Sequence, residues 1–487
     1  MKCLLSVFLF FILTAISFGQ SSVTKSLKDF GAKGDGATDD MPAFIKATEF
    51  FNKRKGNGTL TIPSGTYLVH TQSVNPTKRG TYYSTKQCFE FVDCKNLKII
   101  GKGKVFIKYI AGQRFGAFHP TTGKIYNPTM PFIDFSYRTN IGSVFDIVNG
   151  DNIEIKNIEG DGNISNMLIG GTWGDVGRQV GHCGIVLTNT HNVKIEKVSF
   201  HHFGLDGIMI VNKERLVKGE KLKDNIVIKN SDFEYNGRQG LSWVGGNGLE
   251  VYGSKFNHTG RNGTISSPPG AGMDIESEVA PLMNGKFVDC EYINNTGVGV
   301  IADTGLSQDM EFDNCTFWGT SAWSVWTPKT NYTFKNSKIY GSIVHANAGK
   351  NDYEATKFFN CTFENKPYNG IKAHGSFLME LNAVQRVRFE KCTFNAKQGV
   401  VPIWIDSPES DGNGANVFKD CTINLVIDST KAYQYPSVMR NVTFEDTEFN
   451  ISQKKSESLK KMDFNGIKNV KYKNKKSKIR FSDKSVY

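Results

Sequence analysis

The chain has 487 residues, 39% of them hydrophobic, with 49 Gly, 35 Phe, 9 Cys and a formal net charge of +12. That length would ordinarily mean two or three globular domains, but no Pro/Ser linker divides it, and repeat architectures escape the rule by stacking. Beyond the N-terminal segment no stretch is apolar enough to span a bilayer, which needs roughly 20 residues.

In chain order, Lys2 precedes an apolar run from Leu4 to Phe18, with small residues at Ser17 and Gly19. This reads as a signal peptide over residues 1–19, so the protein is expected to be secreted or periplasmic. Next comes a Gly- and Asp-rich stretch, Asp29 to Asp40, then a helix-like segment from Met41 to Lys53, then Gly58 to Tyr67. The Gly-rich stretch is not a phosphate loop, because no βαβ pattern surrounds it and the third glycine is missing.

From Val198 onward one template recurs: a small residue, any residue, then Phe, Tyr or Ile. It begins at Val198, Ser231, Ser254, Cys290, Cys315, Ser337, Cys361, Cys392, Cys421 and Val442. The separations, between 21 and 36 residues, fit a minimal coil near 22 residues with insertions. The segments alternate with period two and are rich in Val, Ile, Phe and Thr, which excludes an α-solenoid. Each coil reads as strand, Asn-centred bend, short strand, Gly-rich turn and third strand, and one coil cannot bury its own apolar face. The cysteines share a repeated context, so they are expected to be reduced, stacked and buried rather than disulfide-bonded. The expected architecture is all-β: a single right-handed parallel β-helix over residues 20–453 with a short N-terminal capping helix. Residues 454–487 form a basic segment, either the last coil or a tail.

The segments Asp29 to Asp40 and Gly58 to Tyr67 resemble the opening signature of the pectate-lyase-like β-helix superfamily, which includes polygalacturonases and tailspike depolymerases. The resemblance implies a first coil capped by the helix, with structural roles for Asp35, Asp39 and Asp40. It specifies fold more than reaction, since the fold hosts lyases, hydrolases, epimerases and binders.

Four third strands align on Gly207, Gly240, Gly272 and Gly299. Ile208, Ile210, Leu241, Trp243, Met273, Ile275, Val300 and Ala302 then point inward, and Asp274, Glu276 and Asp303 point outward on one face. Asp206, Arg238 and Gln239 sit at the turn leading into that face. Paired carboxylates of this kind do the acid/base work of glycoside hydrolysis, with mutual repulsion keeping one protonated. Asp274, Glu276 and Asp303 are therefore the catalytic candidates. Asp206, Arg238, Gln239, His202, Glu278, Trp323 and Trp326 are the candidates for holding substrate, the tryptophans as flat platforms for sugar rings. His201 is a second turn histidine beside His202, and His182 opens an earlier coil. Trp173 and the Lys-rich insertion from Asn212 to Asp224 add possible contacts. No His, Cys and carboxylate spacing in the sequence is that of a metal site.

Glu276-Ser-Glu278 resembles the paired acids on a β-helix strand of iota-carrageenases, with Glu where that family has Asp. Leu205-Asp206-Gly207 resembles a polygalacturonase strand, but neither the adjacent Asp pair nor the Gly-His-Gly follows. Three readings result. The first is an endo-acting glycoside hydrolase on an acidic or sulfated polysaccharide such as carrageenan, without cofactor. The second is a lyase on pectate, alginate or ulvan, with calcium as its cofactor. The third is a non-catalytic carbohydrate-binding β-helix. In each the partner is an acidic polysaccharide rather than nucleic acid or a membrane, and the protein is a monomer.

Overall fold

The computed structural model describes residues 21–77, 80–119, 122–125, 138–139, 141–170, 181–213, 219, 222–264, 266–344, 349–375, 377–382, 386–396, 401–406, 416–428, 442–454 and 471–472. The signal-peptide segment, Trp173, and most of the 212–224 insertion and of the basic C-terminal segment lie outside these residues.

The coil around residue 230 explains the rest. Ile226–Lys229 alternates buried and open side chains, and Asn225 and Asn230 bracket it with left-handed φ values of 55° and 50°. Asn tolerates that conformation better than most residues, so it bends the chain where a β-branched residue would resist. The chain then returns one coil later directly above itself: Val227 pairs in parallel with Lys194 below and Glu250 above. Parallel pairing needs a long crossover, and here the rest of the coil supplies it. Repetition builds three sheets. The first carries Ile185–Thr188, Asp206–Val211, Ala271–Ile275, Val300–Ile301 and Val325–Trp326. The second carries Ile226–Lys229, Leu282–Val288, Ser307–Asp313 and Thr330–Lys335. The third carries Glu291–Ile293, Thr316–Trp318, Lys338–Tyr340 and Thr362–Glu364.

Stacking places like above like. Phe312, Phe334, Phe358 and Phe389 form a ladder with centroid separations of 4.9, 4.8 and 5.1 Å and near-parallel rings. A second ladder runs Phe233, Phe256, Tyr292 and Phe317 at 5.6, 5.5 and 5.2 Å. Such pairs add about 0.5–1.5 kcal/mol each beyond their buried area. All cysteines among the described residues are free and buried. Cys315, Cys361, Cys392 and Cys421 donate Sγ–H to carbonyls of their own coil and of the coil below, at 3.3–3.5 Å. Ser231, Ser254 and Ser337 bond the carbonyl two residues back in the same way. Cys and Ser thus exchange at one rung because that rung needs a small donor.

The final repeat differs from expectation. Val442 belongs to a strand paired with Asn416–Lys419 in the second sheet, and the rung above Cys421 is Thr447. The template matched Val442 because second-sheet strands also carry an inward Phe, here Phe444. In the basic segment, Lys471 and Tyr472 pair with Thr443 and Phe444, adding one more rung.

The helix spans Met41–Lys53, as the sequence predicts, and buries Met41, Ala43, Phe44, Ala47 and Phe51. Phe44 meets Phe89 at 4.6 Å, so the helix closes the open end of the core. Asp40 is buried, accepting from Lys33 N and Gly34 N at 2.6 and 3.0 Å, while Asp35 accepts from Ala37 N and Thr38 N. Asp39 accepts from Met41 N at 3.0 Å. These three aspartates fold the Gly-rich stretch.

Candidate active site

Ile208, Leu241, Met273 and Val300 stand in register across the first sheet, confirming the alignment on glycines. The glycines are needed for close approach: a Cβ on Gly240 would lie 2.7 Å from the Gly272 carbonyl, and one on Gly272 2.7 Å from that of Gly299. All eight residues expected to point inward lie in the main core. The outward column of the same strands is Met209, Ser242, Asp274, Ile301 and Trp326.

Asp274 therefore has the expected face but not the expected exposure. It is 2% exposed, with buried rung neighbours Ser242 and Ile301. Gln239 Nε2 donates to its Oδ2 in a short hydrogen bond. Asp274 Oδ1, Gln239 Oε1 and Ser242 Oγ are buried with no hydrogen-bond partner among the described residues. Such orphaned atoms are rare, and three on adjoining rungs mark a place where a polar group fits. Glu276 was expected on the strand, but the strand ends at Ile275 and Glu276 follows, half-buried, its N–H on the Trp243 carbonyl at 3.0 Å. Glu278 and Asp303 are exposed.

Asp206 is fully buried and takes both hydrogen bonds of a bidentate Arg238 pair, Nε to Oδ1 at 3.0 Å and Nη2 to Oδ2 at 2.7 Å. Burial raises the Asp206 carboxyl above its ordinary range even though Arg238 pulls it down. Asp274 is raised much further, first by burial, then by Glu276, with Asp303 and Asp206 adding to it. Glu276 is raised by burial and then by Glu278, with Arg238 opposing. The structure thus gathers Asp206, Arg238, Gln239, Asp274, Glu276, Glu278 and Asp303 into one interacting group. Trp323 and Trp326 meet at 5.5 Å and pack on Ala271, Val298 and Ile301, an apolar patch separate from the main core. That patch adjoins Asp274 through Ile301.

His202 is not part of this group. Its imidazole meets His201 and Asp161 on the corner between the third and first sheets and stacks on Tyr235 at 5.3 Å and 7°. His182 is a buried turn residue whose Nδ1 accepts from Gly204 N at 2.8 Å. Two further carboxylates, missed in the sequence, stand earlier on the first sheet: Glu90 and Asp146 are Cα partners. Asp146 is pushed up to about 6 by burial and then by Glu90. Their coils precede the recognisable repeat, and aligning Phe89-Glu-Phe with Phe145-Asp-Ile was the available signal. Among the described residues, the three side chains converging as a metal-ligand group are Asp161, His201 and His202, not the first-sheet carboxylates. An open depression lined by Lys104, Asn157, Glu159, Lys197, Ser199 and Asp232 lies at the bend between the second and third sheets and does not include Asp274.

Coils stacked rung on rung in parallel sheets define a parallel β-helix protein. The right-handed β-helix region family matches residues 132–265 and 225–384, together more than half of the chain, and the chain belongs to that family. No curated protein matches. Among solved structures, the chain is similar to the A-module of the Azotobacter vinelandii mannuronan C-5 epimerase AlgE4, at 13% identity and TM-score 0.42, covering 88% of this chain and 100% of that one. It is also similar to the tailspike gp49 of Acinetobacter baumannii bacteriophage Fri1, a capsular polysaccharide depolymerase, at 12% identity and TM-score 0.37, covering 88% and 63%. A third is PfbA, a surface adhesin of Streptococcus pneumoniae, at 15% identity and TM-score 0.33, covering 89% and 93%. No helix among the described residues is long and apolar enough to cross a membrane.

Proposed function

We propose that the protein is an exported glycoside hydrolase that shortens an acidic or sulfated polysaccharide. The observation that carries this reading is the carboxylate group itself: Asp274 and Glu276 are both pushed toward the protonated form, beside an exposed Asp303. Glycoside hydrolysis needs a carboxylic acid to protonate the leaving oxygen and a carboxylate to attack or to activate water. Glu276 is half-open and has a reason to hold its proton, so it is the acid. Asp303 supplies the carboxylate. Asp274, buried and held by Gln239, is raised well above the ordinary carboxylate range and stays neutral beside Glu276, whose own protonation is favoured by burial, Glu278, Asp303 and Asp206. Arg238 is occupied by Asp206 and acts as the brace of the site rather than as a free substrate cation. The Trp323–Trp326 patch, its two rings edge to face, offers the next sugar an apolar ring face.

The test is to incubate the mature protein with pectate, alginate, ulvan and carrageenans, following reducing ends and ultraviolet absorbance of unsaturated uronates together. Reducing ends without absorbance are expected, falling about 10²–10⁴-fold in Glu276→Gln. Absorbance rising with the reducing ends would replace this reading with a lyase. Retention of a polymer without shortening would replace it with a binding module.

A further inference from the structure

We propose that Asp161, His201 and His202 form a binding site for a divalent metal ion of the zinc, cobalt or copper class. The site is independent of the Asp274 group and of the activity assigned there. Consecutive residues of a strand face opposite ways, so two adjacent histidines would ordinarily diverge. His202 breaks the alternation with a left-handed φ of 57°, and its ring turns back until the two Nδ1 atoms are 2.7 Å apart. Asp161 is the Cα partner of His201 in the coil below, and its Oδ1 lies 3.7 and 3.9 Å from those two nitrogens. Four-coordinate zinc with bonds of about 2.0–2.1 Å sets its donors about 3.4 Å apart, a value these three separations bracket. Two imidazoles and one carboxylate suit zinc, cobalt or copper, whereas calcium and magnesium favour all-oxygen sites.

The surroundings are those of a held ligand set. Glu159 Oε1 stands 3.4 Å from His201 Nε2, and a carboxylate on the far ring nitrogen fixes the tautomer that leaves Nδ1 with its lone pair, which accepts from His202 Nδ1 and which a bound ion would take instead. Asn163 N donates to Asp161 Oδ1 at 2.8 Å and aims it, while the other oxygen faces Lys108 Nζ at 3.8 Å. Tyr235 pins the His202 ring face to face. All three donors are partly open, so an ion can reach them and one position is left for solvent. A bound ion would join one coil to the next.

The experiment is titration of untagged mature protein with zinc chloride by calorimetry, and with cobalt(II) chloride by visible absorption. One saturable equivalent is expected, with cobalt bands of a low-coordinate nitrogen and oxygen site. Asp161→Asn and His202→Gln should each weaken binding at least about 10-fold, and Glu159→Gln by about 10-fold as a positioning residue. Lys108→Met, which removes a cation facing the same carboxylate, should tighten it; a purely structural cluster gives no such gain. Metal-free melting temperatures show whether a variant has folded, and Lys108→Met tests the site without removing a ligand. The proposal is overturned if zinc does not saturate one site, or if Asp161→Asn and His202→Gln, folded, bind as the parent does.

Discussion

Replacing Arg238 with Met tests whether the site is braced by a buried ion pair. Asp206 is fully buried and both its oxygens are taken by Arg238. Removing one partner of such a pair costs about 3–5 kcal/mol, because the other charge is left uncompensated. The pH dependence distinguishes this from simple loss of packing. Burial already raises the Asp206 carboxyl, and Arg238 is what opposes it. Without Arg238 the folded-state value rises further, so the native state holds a proton that the unfolded chain has released. Stability of the variant then falls as pH rises from the ordinary carboxylate range through that raised value. The deficit should be largest near pH 8 and shrink toward pH 4, as measured by urea unfolding followed through tryptophan fluorescence. Asp206→Asn combined with Arg238→Met should recover all but about 1–2 kcal/mol, since a neutral amide replaces the stranded charge. A deficit equal at every pH, or a double variant no better than the single, would refute the argument.

Asp146 carries the opposite lesson. Its carboxyl is raised to about 6, so its ionisation opposes folding above that pH, and below about 4 the opposition is gone. Two units would be about 3 kcal/mol, but its partial exposure reduces this to about 1 kcal/mol. Asp146→Asn should therefore stabilise the protein by that amount at pH 7.5 and leave it unchanged at pH 4 in the same unfolding assay. Gly240→Ala puts a methyl 2.7 Å from a backbone carbonyl and should destabilise by about 1–3 kcal/mol, read as a lowered urea midpoint. Glu278→Gln removes a charge that raises Glu276. The alkaline limb of the pH–rate profile should move to lower pH, modestly because Glu278 is exposed; a shift upward would exclude Glu276 as the acid.

What could be read in the sequence was what stacking forces to repeat. Phe358 above Phe334 and Cys361 on its carbonyl belong to columns where every coil faces one demand, so one residue type recurs and its spacing counts coils. The glycine column is legible for the same reason, and it fixed the face on which Asp274 stands. Exposure was not legible: whether an outward carboxylate meets water depends on what neighbouring rungs and turns lay over it, as Gln239 does over Asp274. Contacts between coils of unequal length escaped as well. Asp161 and His201 are 40 residues apart, and only their shared register makes them neighbours. A β-helix therefore hides its chemistry differently from a motif-bearing enzyme. Its reactive groups are assembled across rungs, from single residues that look ordinary within their own coil. The informative alignment is of the chain with itself, coil on coil. Done at Ile158 to Asp161 against Val198 to His201, it sets the carboxylate beside the histidine pair; done at Gly240 against Gly272, it sets Ser242 beside Asp274.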